Sequence, residues 1–117
     1  YLKREKWQDA QNIFSLAIDR FPDSVVLLNR MAISLRKDKK FKEALDIYRT
    51  AMKLSRRDEG LYYNLARLLY EMEKPETAIQ SLEKALAINP RFQPAAKFLR
   101  HLQEEAKAGK NESEKYV

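Results

Sequence analysis

Ala44-Leu45-Asp46-Ile47-Tyr48-Arg49-Thr50-Ala51 and Ala78-Ile79-Gln80-Ser81-Leu82-Glu83-Lys84-Ala85 follow one template, thirty-four residues apart. Each opens and closes on alanine and carries a large apolar residue four positions after the first alanine, Tyr48 in the first and Leu82 in the second. Ala10, Phe14 and Ala17 stand in the same phase one period earlier. A period of this length marks a helical array whose unit is a pair of antiparallel helices. The alanines have a physical task in such a unit. Ala32 with Ala44, and Ala66 with Ala78, fall where the two helices of a hairpin cross. A missing side chain there lets the axes approach to the short end of the usual packing distance. A bulky residue at Ala44 or Ala78 is expected to cost about 1–3 kcal/mol through overpacking. Ala17, Ala51 and Ala85 serve the contact with the following repeat in the same way. Apolar neighbours recur at spacings of three and four, as Leu45, Tyr48, Ala51 and Met52 on one helix and Ile79, Leu82, Ala85 and Leu86 on another.

Composition agrees with an all-α chain of one domain. There are only two Gly and four Pro in 117 residues, and 44% hydrophobic content stands beside 34% charge. That balance excludes wholesale disorder. No apolar run approaches the length of a bilayer span, and no secretory signal pattern opens the chain. The absence of Cys removes disulfides, thiolate metal sites and cysteine nucleophiles together, and is compatible with a reducing compartment. Asn111-Glu112-Ser113 fits a glycosylation acceptor, but the same triplet is ordinary in a polar tail. The net charge of +6 is uneven: residues 1–58 hold 14 Lys and Arg against 8 Asp and Glu, and residues 59–117 hold 9 against 9. An electrostatic partner preference is therefore sought in the first half.

Punctuation places the helices at 7–20, 24–37, 41–54, 58–72, 75–88 and 93–107. Pro22-Asp23-Ser24 supplies a stop and N-cap candidates, and Asp58 can cap the next helix. Pro75 suits a first helical turn, Asn89-Pro90 closes that helix, and Pro94 opens the last. The stretches Lys37 to Lys40 and Glu71 to Lys74 are short polar turns inside hairpins. In phase, Tyr1 falls at the eleventh position of a repeat, so the start of a first helix is expected upstream of this sequence. The Ile13 and Phe14 face of the following helix is expected to lack a neighbour. From Gln93 a final helix carries Ala95, Phe98, Leu99, Leu102 and Ala106 on one stripe, with Arg100 where the pattern wants a small residue. That is the mark of a capping helix with nothing packed back on it. Residues 109–117 have no apolar period and are expected to be disordered.

Read in full, the phase resembles the tetratricopeptide pattern W-x-x-L-G-x-x-Y, A-x-x-x-F, A, P over residues 1–108. One repeat carries Tyr62-x-x-Leu65-Ala66-x-x-Leu69, Ala78-x-x-x-Leu82, Ala85 and Pro90. The preceding one carries Leu28-x-x-Met31-Ala32-x-x-Leu35, Ala44-x-x-x-Tyr48 and Ala51, and departs at Arg56, where the pattern has Pro. The first offers Ala10-x-x-x-Phe14, Ala17 and Pro22. The resemblance implies a right-handed superhelical stack of antiparallel hairpins. Its parts would be an incomplete repeat at 1–24, repeats at 25–58 and 59–92, a capping helix at 93–108 and a tail at 109–117.

Catalysis has little to use. His101 is the only histidine and has no implied Ser or Cys partner, and the carboxylates Glu71, Glu73 and Glu76 lie in solvated, Lys-rich faces. No phosphate loop, dinucleotide fingerprint or metal-ligand cluster is present, so no cofactor and no enzyme activity are expected. The resemblance instead implies ligand contact at positions 2, 5, 6, 9, 12 and 13 of each repeat, on the concave side. On this chain those are Val26, Asn29, Arg30, Ile33, Arg36 and Lys37, then Gly60, Tyr63, Asn64, Arg67, Tyr70 and Glu71, with Lys97 and His101 from the cap. The peptide-groove set is taken as Asn29, Arg30, Ile33, Arg36, Tyr63, Asn64, Arg67, Tyr70 and Lys97. Arg pairs carboxylates bidentately and Asn satisfies peptide backbone, so the lining favours an acidic, partly aromatic or extended segment of a protein partner. The bland reading stands beside this one: Tyr62 and Leu65 as core, Tyr70 partly so, and Arg36 and Lys37 as solvation of a helix end.

The carboxylate-clamp subtype of the family would need Lys, Asn, Asn, Lys and Arg where this chain has Asn29, Ile33, Asn64, Pro94 and Phe98, and only Asn64 matches. The expected function is therefore a protein-interaction module, an adaptor or scaffold segment of a cytoplasmic protein. Two other readings remain open. Lys37, Lys39, Lys40, Lys42 and Arg56-Arg57 form a basic surface that could meet nucleic-acid phosphates, although Asp38, Glu43 and Asp46 are mixed in. Self-association through the first helix pair is the other.

Overall fold

The computed structural model of the protein describes residues 2–115, with side chains described over 5–109. Six helices follow in order: α1 Leu2–Arg20, α2 Val25–Lys37, α3 Phe41–Leu54, α4 Glu59–Glu71, α5 Pro75–Ile88 and α6 Gln93–Lys115. They form an all-α stack in which α2 pairs with α3 and α4 with α5, while α1 leans on α2 and α6 on α5. The body measures 55 × 36 × 20 Å.

The helix ends have local causes. Ser24 Oγ accepts the Leu27 amide at 3.3 Å, and Asp58 Oδ1 accepts the Leu61 amide at 3.2 Å. Each satisfies one of the donors that a helix start leaves unpaired. Pro75 lies in the first turn of α5, where its missing N–H costs nothing. Both hairpins turn on one device. The Lys40 amide donates to the Leu35 carbonyl and the Lys39 amide to Arg36, and Lys74 and Glu73 repeat this toward Leu69 and Tyr70. This is the Schellman closure, which puts one residue in the left-handed region. Here that residue is Lys39 at φ 62° and Glu73 at φ 61°.

Two apolar clusters fill the stack. The first joins Leu28, Ala32 and Leu35 of α2 to Ala44, Tyr48 and Ala51 of α3, and takes Leu61 and Leu68 from α4. The second joins Ala66 and Leu69 of α4 to Ala78, Leu82 and Ala85 of α5 and to Ala95 and Leu102 of α6. α4 thus faces both clusters and mortars the two repeats together. The crossing alanines Ala32, Ala44, Ala66 and Ala78 are wholly buried. Tyr62 and Leu65, expected as core, are half-buried against these clusters, and Ala106 of the final stripe is exposed.

Two ends depart from the expected boundaries. α1 begins at Leu2 rather than near residue 7 and runs unbroken to Arg20. Glu5 stands in the register of Lys39 and Glu73, but no helix of the described chain folds back before it, so the good helix formers around it stay helical. α6 continues to Lys115 through the stretch expected to be a disordered tail. Ala, Glu and Lys propensity outweighs the loss of an apolar stripe and the roughly 1 kcal/mol that Gly109 costs in a helix. The side chains of the Asn111-Glu112-Ser113 triplet lie outside those described, as does the backbone of residues 116–117.

Candidate functional site

α4 and α6 form the walls of a cleft of about 550 Å³, lined by Tyr63, Arg67, Tyr70 and Glu71 on one side and Pro94, Lys97, Phe98 and His101 on the other. Helical spacing explains the first wall, because Tyr63, Arg67, Tyr70 and Glu71 share one face of α4. Phe98 bridges the walls. Its ring meets Tyr70 edge-on at 5.5 Å and Tyr63 at 6.3 Å, while Tyr63 also meets Phe92 at 5.8 Å. These are the T-shaped contacts that aromatic quadrupoles favour, and they set a rigid apolar floor.

Charge lies at the rim. Arg67 and Lys97 are exposed, and the Arg67 guanidinium lies 6.0 Å from the Tyr63 ring centre. At the far end the Tyr70 hydroxyl donates to the Glu105 carboxylate at 3.1 and 3.2 Å, and His101 Nε2 meets the same carboxylate at 2.9 Å. Donation to Glu105, together with its negative charge, holds the Tyr70 hydroxyl above the ordinary tyrosine range. The cleft therefore offers aromatic faces, two exposed cations and, at one end, a carboxylate that Tyr70 and His101 hold.

Of the nine groove residues expected from sequence, Tyr63, Arg67, Tyr70 and Lys97 line this one cleft. Asn29 and Arg30 line a smaller hollow of about 260 Å³ with Val25, Val26, Asp58 and Leu61. Asn64 Nδ2 donates to Asn29 Oδ1 at 2.9 Å, so the two amides tie α4 to α2. Ile33 is half-buried. Arg36 is buried, and its Nη1 lies 2.6 Å from Glu71 Oε1, which makes it a strut between repeats. Phe98 and Pro94 were not in the expected set, although their register signals them: Phe98 stands where Arg30 and Asn64 stand in their repeats. Trp7 is not in that set either. It opens the second half of α1 in the register where Phe41 opens α3, and its carbonyl accepts the Ser34 hydroxyl at 3.2 Å.

Among the described residues, no group of His, Asp or Glu is placed to hold a metal ion, and no helix is long and apolar enough to cross a membrane.

Two repeats in phase, closed by equivalent turns and stacked through shared alanines, match a known family. The family model of the tetratricopeptide repeat matches residues 23–91. The chain belongs to the tetratricopeptide repeat family. Members are protein–protein interaction modules, and the fold is typically non-enzymatic. The array is similar to tetratricopeptide repeat protein 21A of Mus musculus, at 27% identity over 86 residues. That match takes in 71% of this chain but only 6% of the length of that relative. Among solved structures, the first TPR domain of human RPAP3 superposes with a TM-score of 0.82 at 24% identity, covering 95% of this chain and 87% of that one. The first TPR of Spaghetti (RPAP3), bound to the HSP90 peptide SRMEEVD, gives a TM-score of 0.80 at 24% identity, covering 92% and 85%. The APC/C hetero-tetramer Cut9-Hcn1 gives 0.77 at 23% identity, covering 83% and 20%. These likenesses carry the fold.

Proposed function

We propose that this array is an adaptor or scaffold segment of a cytoplasmic protein, and that it holds a partner's peptide in the cleft between α4 and α6. The observation that carries this reading is the aromatic floor of Tyr63, Tyr70 and Phe98 under the cations Arg67 and Lys97. An apolar side chain of the ligand meets the rings, and an acidic one meets the rim. Arg30 extends the basic line along α2. A structural neighbour that holds a peptide supports a peptide as the ligand class. Only Asn64 matches the clamp pattern, so the ligand is not taken to be of the clamp type.

The test is selection of peptides from a randomised displayed library on the immobilised chain, followed by affinities for the wild type and for Arg67→Ala/Lys97→Ala. The expected result is a loss of about tenfold or more in the double variant, with folding unchanged. Equal affinities would refute the cleft.

The nucleic-acid reading is weakened by the turn lysines themselves. Lys40 Nζ reaches Gln11 Oε1 at 3.1 Å and Asp38 Oδ2 at 3.5 Å, so the turn's charge is partly met within the chain. Self-association keeps one supporting observation, since Ile13 and Leu16 are 65% and 73% exposed on α1. Sedimentation of Leu16→Asp beside the wild type tests it: a dimer that persists in the variant rules out that face.

A further inference from the structure

A second hollow, of about 600 Å³, opens at the hairpin edge between α1 and α2, lined by Trp7, Arg36, Lys37, Lys39, Phe41 and Glu71. It is separate from the α4/α6 cleft, although Glu71 belongs to both walls. Its charge is one-sided. Arg36 is neutralised by Glu71 at 2.6 Å, and Lys37 and Lys39 remain as exposed cations. The repeat shows that the fold does not require these lysines. Thirty-four residues on, the same two positions are Glu71 and Glu73, and Glu73 takes the same left-handed conformation as Lys39. The hairpin closes equally well with the opposite charge.

The apolar walls are equally placed by register. Phe41 opens α3, Trp7 stands one period earlier inside α1, and Trp7 is anchored through its own carbonyl by Ser34. Lys37 sits over the indole at 4.9 Å, which biases its ammonium toward the hollow. A cation over an aromatic face, a second exposed cation and two aromatic side chains around one hollow suit a carboxylate-bearing segment with a bulky apolar anchor.

We propose that the Trp7 hollow is a second docking site, for an acidic peptide segment that carries an aromatic or large aliphatic residue. A carboxylate pairs with Lys37, a second acidic group meets Lys39, and the anchor lies between Trp7 and Phe41. A single-stranded nucleic acid fits less well, because the Lys37 ammonium already covers a face of the indole that a base would need for stacking.

Trp7 is the only tryptophan of the chain, so its emission reports this hollow directly. The probe is a synthetic peptide with blocked ends, acidic residues alternating with glycine around one central phenylalanine. Titrated into the whole chain at low salt, it is expected to shift Trp7 emission in a saturable way. Lys37→Glu/Lys39→Glu, whose charges the other repeat already accommodates, is expected to weaken this response about tenfold or more. Arg67→Ala is expected to leave it unchanged, which separates this site from the cleft. Replacing the phenylalanine of the probe by alanine is expected to weaken it as well. An unaltered emission, a response insensitive to the lysine reversal, one abolished by Arg67→Ala, or a larger response to an oligothymidylate would each overturn the proposal.

Discussion

Tyr48 buries its hydroxyl completely and gives it no hydrogen-bond partner among the described residues. Phe14 and Leu82 fill the same register without a hydroxyl, so the repeat asks only for bulk there. Tyr48→Phe is therefore expected to be neutral or stabilising by about 1 kcal/mol in urea denaturation. Burial also pushes the Tyr48 pKa from 10.0 up to about 12, with Arg36 and Arg67 opposing the rise. The native state thus keeps a proton that the unfolded state has released above pH 10. The corresponding stability is intact below pH 10 and is lost, by about 3 kcal/mol, as pH climbs to 12. Circular dichroism at rising pH should show that loss in the wild type and a shallower one in Tyr48→Phe. Arg36 makes a different point. In the sequence it is one cation of a groove list, and nothing there reveals Glu71 across the repeat boundary. Removing only the carboxylate, in Glu71→Ala, strands a buried guanidinium and is expected to cost about 1–3 kcal/mol. Arg36→Met/Glu71→Ala should recover part of it, which a double-mutant cycle by urea denaturation would measure.

At the level of elements, α3 and α5 lie over Phe41–Leu54 and Pro75–Ile88, the ranges read from sequence, because proline, polar turns and the alanine phase mark their limits directly. α1 and α6 exceeded their expected ranges because a helix end is set by competing partners as much as by local signals. At both, the described chain folds no second helix back, so helix propensity carries the helix past the local signals. The hairpin turns carry a testable strain. Glu73 adopts φ 61°, a region that costs a non-glycine residue about 1 kcal/mol. Glu73→Gly is expected to raise stability by about 0.5–1 kcal/mol, since relief of the side-chain clash exceeds the added chain entropy. Asp58→Ala should lower it by about 1 kcal/mol by freeing the Leu61 amide. Thermal denaturation of the two variants checks both signs.

For the whole molecule, the period of thirty-four makes the stack readable, and the register sorts buried faces from the concave one. It does not reveal how the concave residues divide. Asn64 Nδ2 donates to Asn29 Oδ1, Arg36 goes to Glu71, and the open cleft belongs to α4 and α6. Phe98 reads from sequence as core stripe, yet it bridges Tyr63 and Tyr70 at the cleft floor. Register places a side chain on a face, while the partner it meets depends on the superhelical approach of the next repeat. The central claim is that the α4/α6 cleft is the surface the molecule uses. It is tested most directly by a backbone-amide NMR titration with a peptide selected from the displayed library. The account predicts that the shifted amides cluster on α4 and α6 around Tyr63, Arg67, Tyr70, Lys97 and Phe98. Shifts confined to α3 and α5, with the cleft amides unmoved, would contradict it.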